Sequence, residues 1–190
     1  MNEQTQRIIL AITGATGMLY VTALLDLLAD QNVAVDAIIS AAGSKVLGLE
    51  QDMVPEDLPN INRWFAVDDF TAPPASGSAR YDAMIILPCT VGTLGAVASG
   101  FSGNLIHRAA DVTLKERRPL LLAVRETPLN RTHLNNMLAL HDAGAIICPP
   151  MPSFYLHPAD LTTMARQFAG RICDQVGLHL HKLPRWQGIS

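Results

Sequence analysis

A chain of 190 residues suits one domain with a real core, and its apolar runs are strand-sized, far short of the ~20 residues a spanning helix needs, which excludes a membrane protein. Hydrophobic residues make up 49% and charged residues only 16%, where about 25% charge is usual, so buried sheet faces and subunit interfaces are expected. A net charge of −3 gives no basic face and excludes nucleic acid as a partner. The opening Met1–Arg7 is polar and lacks the basic start and apolar core of a signal peptide, leaving the cytoplasm as the expected location. Cys89, Cys148 and Cys173 are odd in number and far apart, which fits neither a disulfide framework nor a metal pattern. His179 and His181 share a strand-like spacing without a third ligand nearby; they read as surface residues, and no metal is expected.

In chain order, the apolar run Ile8–Ile12 meets Thr13-Gly14-Ala15-Thr16-Gly17 at once. Met18, Leu19, Val21, Leu24, Leu25, Leu27 and Leu28 then recur at helical spacing, giving a strand, a glycine-rich turn and a helix. Val33–Ile39 is a second strand, closed by Ser40, with a small-residue helix over Ala41–Glu50. Residues 51–78 hold several prolines and mixed polarity and read as an irregular excursion long enough to suggest function. Ala83–Leu87 is a third strand, followed by Pro88-Cys89-Thr90, a helix start over Thr93–Ser99 and a helix over Ala109–Arg118. Leu120–Val124 is the fourth strand, and Arg131–Ala143 carries Leu134, Met137, Leu138 and Leu140 on one helical face. Ala145–Cys148 is the fifth strand and Leu161–Val176 the closing helix. Strands alternating with crossovers long enough for parallel pairing specify an α/β fold: one doubly wound, Rossmann-like (flavodoxin-like) parallel sheet with flanking helices.

In such sheets ligands bind beyond the carboxyl ends of the strands. The fourth strand ends at an adjacent Arg125 and Glu126, and Thr127-Pro128 then turns the chain. This pair reads either as an anion clamp beside a proton-transfer group or as a surface ion pair. The Gly-x-x-Gly turn after the first strand is a candidate phosphate or cofactor cradle, because glycines admit a close ligand and the helix start offers free N–H groups. It lacks the third glycine of the dinucleotide fingerprint and the lysine of the P-loop. Ser40, Thr90 and Thr93 follow other strands, and Tyr155 follows Pro149-Pro150. Such convergence suits a mononucleotide, while each hydroxyl alone also reads as a helix N-cap. Lys115-Glu116-Arg117-Arg118 reads first as a solvated helix end. Arg108 and Lys115, seven positions apart, share a helical face and, with Arg125 and Arg171, are candidates for a second anion.

The chain resembles the flavin prenyltransferases of the UbiX/Pad1 type, within the homo-oligomeric flavin-containing cysteine decarboxylase superfamily. The matching pieces are Thr13–Gly17, Ala75-Ser76-Gly77-Ser78, Pro88-Cys89-Thr90-x-x-Thr93, Asn104–Val112, Leu114–Arg118, Arg125-Glu126-Thr127-Pro128, Phe154-Tyr155 and Arg185-Trp186. They run nearly end to end in the family's order. The resemblance implies a metal-independent transfer of a dimethylallyl group from dimethylallyl phosphate to N5 and C6 of reduced FMN. The prenylated FMN would serve a UbiD-type decarboxylase, in ubiquinone biosynthesis or in aromatic-acid breakdown. By position, Gly14, Ala15, Thr16, Ser40, Thr90, Val91, Gly92, Thr93 and Arg125 resemble the FMN contacts. Tyr155, Arg171, Lys115, Arg108, Ser76 and Gly77 resemble the prenyl-phosphate contacts. Glu126 resembles the acid/base residue, Glu50 the second carboxylate near the ring, and Lys115 a catalytic cation. The resemblance also implies a homo-oligomer, a dodecamer. Residues 1–190 would form one flavoprotein domain, with 178–190 as a tail packed at a subunit interface.

The chain departs from the family's usual residues at several positions. Thr16 and Thr90 stand where serine is usual, Ala41 where a lysine is frequent, Phe70 where close relatives carry tryptophan, and Gly103 where Asp or Asn is found. Two other readings exist. A peptidyl-cysteine decarboxylase of the same superfamily would need an upstream catalytic histidine, a Pro-Ala-Ser-Ala-Asn-Thr turn and Pro-x-Met-Asn. Here Pro73–Ser78 holds no histidine, the turn reads Pro88-Cys89-Thr90-Val91-Gly92-Thr93, and the later motif is Pro128-Leu129-Asn130. A non-catalytic flavin carrier would need only one phosphate site, and Glu126 with the additional cations argues against it.

Overall fold

The computed structural model describes residues 5–178 together with Leu180, Arg185, Trp186 and Gly188; His179 and His181 lie outside the described residues. The strands are β1 (Arg7–Ile12), β2 (Ala34–Ile39), β3 (Arg63–Phe65), β4 (Ala83–Cys89), β5 (Leu120–Val124) and β6 (Ile146–Ile147). The helices are α1 (Met18–Asp30), α2 (Ala41–Gln51), α3 (Val91–Ala98), α4 (Leu105–Lys115), α5 (Arg131–Asp142) and α6 (Leu161–Gln175). All strands pair in parallel, in the order β3-β2-β1-β4-β5-β6. The chain therefore winds outward in one direction from β1 and in the other from β4, and the switch point is the β1/β4 crevice.

Alternation along the strands builds two apolar layers. Ile8, Leu10, Ile12, Ile85 and Leu87 pack with α1 and α6, while Ile9, Ala11, Met84, Ile86 and Leu122 pack with α3 and α4. Covered on both faces, β4 and β5 are buried at every residue, hence their unbroken apolar runs. One strand, β3, falls inside the segment expected to be irregular. It is a three-residue edge strand that pairs only with β2, and its Arg-Trp-Phe sequence is too short to show a period. Two helices start earlier than their apolar spacing predicts, because Thr90 and Asn104 cap them by accepting from the N–H groups of Thr93 and His107. On α5, Leu140 is buried, but Leu134 and Leu138 are more than half exposed, so this helix's apolar face does not close on the chain's own core.

The amino edge of the sheet is held by a buried carboxylate. Asp36 is fully buried and accepts from Arg7 Nη2 at 2.6 Å, Tyr81 Oη at 2.7 Å and Asn62 Nδ2 at 2.9 Å. The Arg7 guanidinium also lies 4.4 Å from the Tyr81 ring centre. Burial, together with the Asp36 hydrogen bond and charge, pushes the Tyr81 phenol up, so it stays a donor. Asp36→Ala would leave the buried Tyr81 hydroxyl and the half-buried Arg7 guanidinium unmatched, a loss of about 3–5 kcal/mol, and Tyr81→Phe would remove one donor to a charged acceptor, about 2 kcal/mol. Urea unfolding measures both. A loss below about 1 kcal/mol for Asp36→Ala would show that the network does not hold this edge.

The head of α1 is also closed by a carboxylate. Gly17, the N-cap, has no side chain to cap with. Glu50, at the end of α2, reaches across instead and accepts from Gly17 N–H (2.9 Å), Met18 N–H (2.8 Å) and the Thr16 hydroxyl. Burial raises the Glu50 pKa, but these hydrogen bonds and the Arg125 charge outweigh it, and the net shift is downward from 4.5. A depressed folded pKa means the stabilisation is fully present above the unfolded value and is lost as pH falls through the folded one. Glu50→Gln should therefore cost about 1 kcal/mol at neutral pH and show a flatter fall in Tm below pH 4.5 than the parent. Parallel Tm–pH curves for the two proteins would contradict this.

Candidate active site at the carboxyl edge

Three polar groups of residues surround the sheet, and the first lies at the β1/β4 crevice. Thr13, only 2% exposed, donates its hydroxyl to Pro88 O (2.7 Å) and accepts the Thr90 N–H at that hydroxyl (2.9 Å), latching the two central strand ends together. Its sequence signal was a hydroxyl closing an apolar strand, and the sequence reading assigned it no role. Gly14 is required by close approach: a Cβ there would collide with the Ala42 side chain and come within 3.1 Å of its carbonyl carbon, so the first turn packs directly on α2.

Ser40 and Thr90 are N-caps. Ser40 Oγ accepts from Gly43 N–H at 3.0 Å, and Thr90 Oγ1 accepts from Thr93 N–H at 3.1 Å while donating to Thr93 Oγ1. This is the capping reading, and it leaves both residues beside the crevice. The first turn, in contrast, is not a free phosphate cradle. The leading N–H groups of α1 already meet Glu50, and Thr16, in place of serine, uses its hydroxyl on the same carboxylate. The open helix start is that of α3, where the N–H groups of Val91 and Gly92 have no intrahelical acceptor and Gly92 leaves space, its nearest neighbour standing 3.9 Å from a built Cβ. Cys89, between these elements, is fully buried. Burial pushes its thiol up, so it is a core residue and not a nucleophile.

Arg125 continues from β5, its N–H held by Cys89 O at 3.0 Å. Arg125 and Glu126 are both exposed and do not pair with each other. Adjacent residues on an extended chain point to opposite sides; Arg125 lends its charge to Glu50, and Glu126 accepts from Thr127 N–H at 3.1 Å. The surface ion-pair reading is thereby excluded. Arg125, Glu50, Thr16, Ser40 and Thr90–Thr93 thus border one crevice.

The second group stands apart. Arg108 donates Nε to Ala75 O (3.1 Å) and Nη1 to Asp111 (2.9 Å). Arg118 donates to the carbonyls of Ala79 (2.7 Å) and Gly77 (2.9 Å). Lys115 and Glu116 form an ion pair against Gly77, where a Cβ would fall 2.6 Å from Lys115 Nζ. Ser76 Oγ bonds Ser78 Oγ at 2.9 Å. Arg118 is therefore not a solvated helix-end residue: Arg117 at φ +56° turns the chain and sends Arg118 back onto the 75–79 loop. Lys115 precedes the start of β5 and Arg125 follows its end, so the length of that strand, about 16 Å, separates them. Arg108, Lys115, Arg125 and Arg171 do not meet within one chain.

The third group lines a cavity of about 380 Å³ between Tyr155, Gln167, Arg171, Asp174, Arg185 and Trp186. Arg171 pairs with Asp174 at 2.9 Å, and the Tyr155 and Trp186 rings meet edge to face at 5.4 Å. Among the described residues no cluster of His, Cys, Asp or Glu is arranged to hold a metal ion, and no helix is long and apolar enough to cross a membrane.

The family described as Flavoprotein matches residues 1–176. The flavin prenyltransferase PAD1, mitochondrial, of Saccharomyces cerevisiae is 44% identical over 97% of this chain and 77% of its own length. Among solved structures, AnUbiX (PadA1) in complex with FMN and dimethylallyl pyrophosphate superposes with TM-score 0.95 at 39% identity, covering 98% of this chain and all of its own. A dodecameric FMN-dependent Ubix-like decarboxylase from Escherichia coli O157:H7 superposes with TM-score 0.92 at 38% identity, covering 96% of this chain and all of its own. With a crevice at the switch point, an open helix start beside Arg125 and a separate cationic pocket, this chain belongs to the flavoprotein family and, within it, to the flavin prenyltransferases of the UbiX type.

Proposed function

We propose that this chain joins a dimethylallyl group from dimethylallyl phosphate to reduced FMN at N5 and C6, and that the prenylated FMN is passed to a UbiD-type decarboxylase. The observation that supports this reading is two separate cationic groupings, Arg125 beside the α3 start and Arg171 with Arg185 in the cavity. A flavin carrier needs only the first, the α3 start with Thr90–Thr93 and Arg125. The second, with Tyr155 and Arg171 on one cavity, suits a phosphate ester.

FMN fits the first site: the glycine turn lies flush on α2, and the α3 N–H groups and Arg125 suit its phosphate. Bound reduced FMN supplies the nucleophilic nitrogen and carbon. The chain's own residues do the rest. Tyr155 and Arg171 hold the phosphate ester through charge-assisted hydrogen bonds that strengthen as negative charge develops on the departing oxygens. The carboxyl of Glu126 exchanges a proton with the leaving phosphate. Glu50, fixed by Thr16 and the head of α1, keeps a negative charge beside Arg125. Cleavage of an allylic C–O bond calls for exclusion of water, yet Glu126, Tyr155 and Arg171 are exposed in a single chain. We therefore place Lys115 and the 75–79 loop of a second copy over the crevice, in a homo-oligomer built like the dodecameric relative. The exposed Leu134 and Leu138 on α5 are apolar surface for that assembly; the tail of residues 178–190, also proposed to pack at a subunit interface, lies mostly outside the described residues. The three free cysteines suit the reducing cytoplasm, where we place the protein.

Incubation of the FMN-loaded protein with a flavin reductant and dimethylallyl phosphate, or the diphosphate in parallel, should yield a flavin heavier by one five-carbon unit in mass spectra. Unmodified FMN from a demonstrably loaded enzyme with both donors would overturn the proposal. Glu126→Gln should retain FMN and slow product formation by roughly 10²-fold or more; normal turnover would remove Glu126 from the proton step.

A further inference from the structure

The Arg185-Trp186 pair belongs to the sequence blocks that carry the resemblance. The structure seats it in the cavity of Tyr155 and Arg171. Asp174 is the reason. Its side chain is only 10% exposed and stands one helical turn beyond Arg171, on the same face of α6. One carboxylate oxygen accepts from Arg171 Nη1 at 2.9 Å and from Arg185 Nη1 at 3.0 Å, and the other accepts from Arg185 Nη2 at 2.7 Å. Arg185 Nη2 also donates to Leu180 O at 3.2 Å. Arg185 is thus held in a two-pronged grip, which places Trp186 edge-on against Tyr155, with ring centres 5.4 Å apart at 86°.

We propose that Asp174 is a positioning residue of the donor pocket: it fixes the Arg171 guanidinium for the phosphate ester and binds Arg185, so that the Arg185-Trp186 segment forms one wall of the pocket. The inference rests on the donor-pocket reading above and deepens it. A guanidinium carries five N–H donors. Arg171 commits one to Asp174 and keeps the others for an anion, so the carboxylate orients Arg171 without occupying it. Two guanidinium groups against one carboxylate leave the wall with a net positive charge of one, which attracts a phosphate ester. A free arginine would instead have to be ordered at each binding event, which weakens affinity. Because the same carboxylate holds Arg185, removing its charge should loosen Arg171 and undock Trp186 together.

The test uses FMN-loaded protein carrying Trp64→Phe, which leaves Trp186 as its single tryptophan. Asp174→Asn should raise the KM for dimethylallyl phosphate about ten-fold with kcat within about two-fold, and red-shift the Trp186 emission as the ring leaves Tyr155. Asp174→Glu should restore part of both, and Arg185→Gln should reproduce the emission shift with a smaller effect on KM. An unchanged KM, an unchanged emission, or a KM change accompanied by loss of FMN would each overturn the positioning role. Calorimetric binding of dimethylallyl phosphate to the same proteins separates the two readings. If no prenylated FMN forms in the parent, the prenyltransferase reading fails, while a ten-fold weaker binding by Asp174→Asn still upholds the role of Asp174.

Discussion

A carboxylate fills the anion site that the first helix would otherwise offer, and the layout of the crevice follows from it. In many sheets of this winding the first turn cradles a phosphate, because the leading N–H groups and the helix dipole attract negative charge. Here those N–H groups meet Glu50. The next open helix start is that of α3, across the latch that Thr13 forms between β1 and β4. Arg125 stands close enough to Glu50 to lower its pKa. One internal ion thus closes the first helix start and leaves a negative charge beside the crevice.

The two edges of the sheet divide the work. At the amino edge, Asp36 gathers Arg7, Tyr81 and Asn62 into a satisfied buried network, which holds strand ends and offers no free group to a ligand. At the carboxyl edge Thr13, Ser40, Thr90 and Glu50 bind the chain's own groups, while Arg125 and Glu126 are exposed. The arginines illustrate how similar side chains diverge by context. Arg7 and Arg118 are bound to the protein's own acceptors, whereas Arg125 and Arg171 are exposed and, among the described residues, Arg171 commits one N–H to Asp174. Arg108 belongs between these cases, bound to Ala75 and Asp111 with part of its guanidinium uncommitted.

What could be read in the sequence followed the physics of burial. Leu120–Val124 and Ala83–Leu87 were legible because strands covered on both faces must be apolar throughout, and the doubly wound sheet followed from their spacing. The edge strand Arg63–Phe65 was not, since three residues carry no period. Lys115–Arg118 looked like an ordinary charged helix end, because the sequence does not show that Arg117 adopts a left-handed conformation and turns Arg118 onto the 75–79 loop. Leu134, Met137, Leu138 and Leu140 share one apolar spacing, yet Leu140 and Met137 turn inward while Leu134 and Leu138 stay exposed; the pattern marks burial without telling which chain supplies the cover. Glu50 lies 33 positions from the N–H of Gly17 that it caps, and no local rule links them. The Arg171/Asp174 pairing, by contrast, was available as an i,i+3 spacing.

The central claim is that the reactive site is composite: Glu126 from one copy works with Lys115 from another, since one chain holds them at opposite edges of its sheet. Mixed assemblies test this directly. Glu126→Gln and Lys115→Ala proteins, each of low activity, would be unfolded and reassembled either separately or together, and prenylated FMN measured. A composite site predicts that co-assembly restores activity, up to about a quarter of the parent level if the two chains mix at random. Activity in the co-assembled sample no higher than in the separate ones would contradict it, because both residues would then act from the same chain.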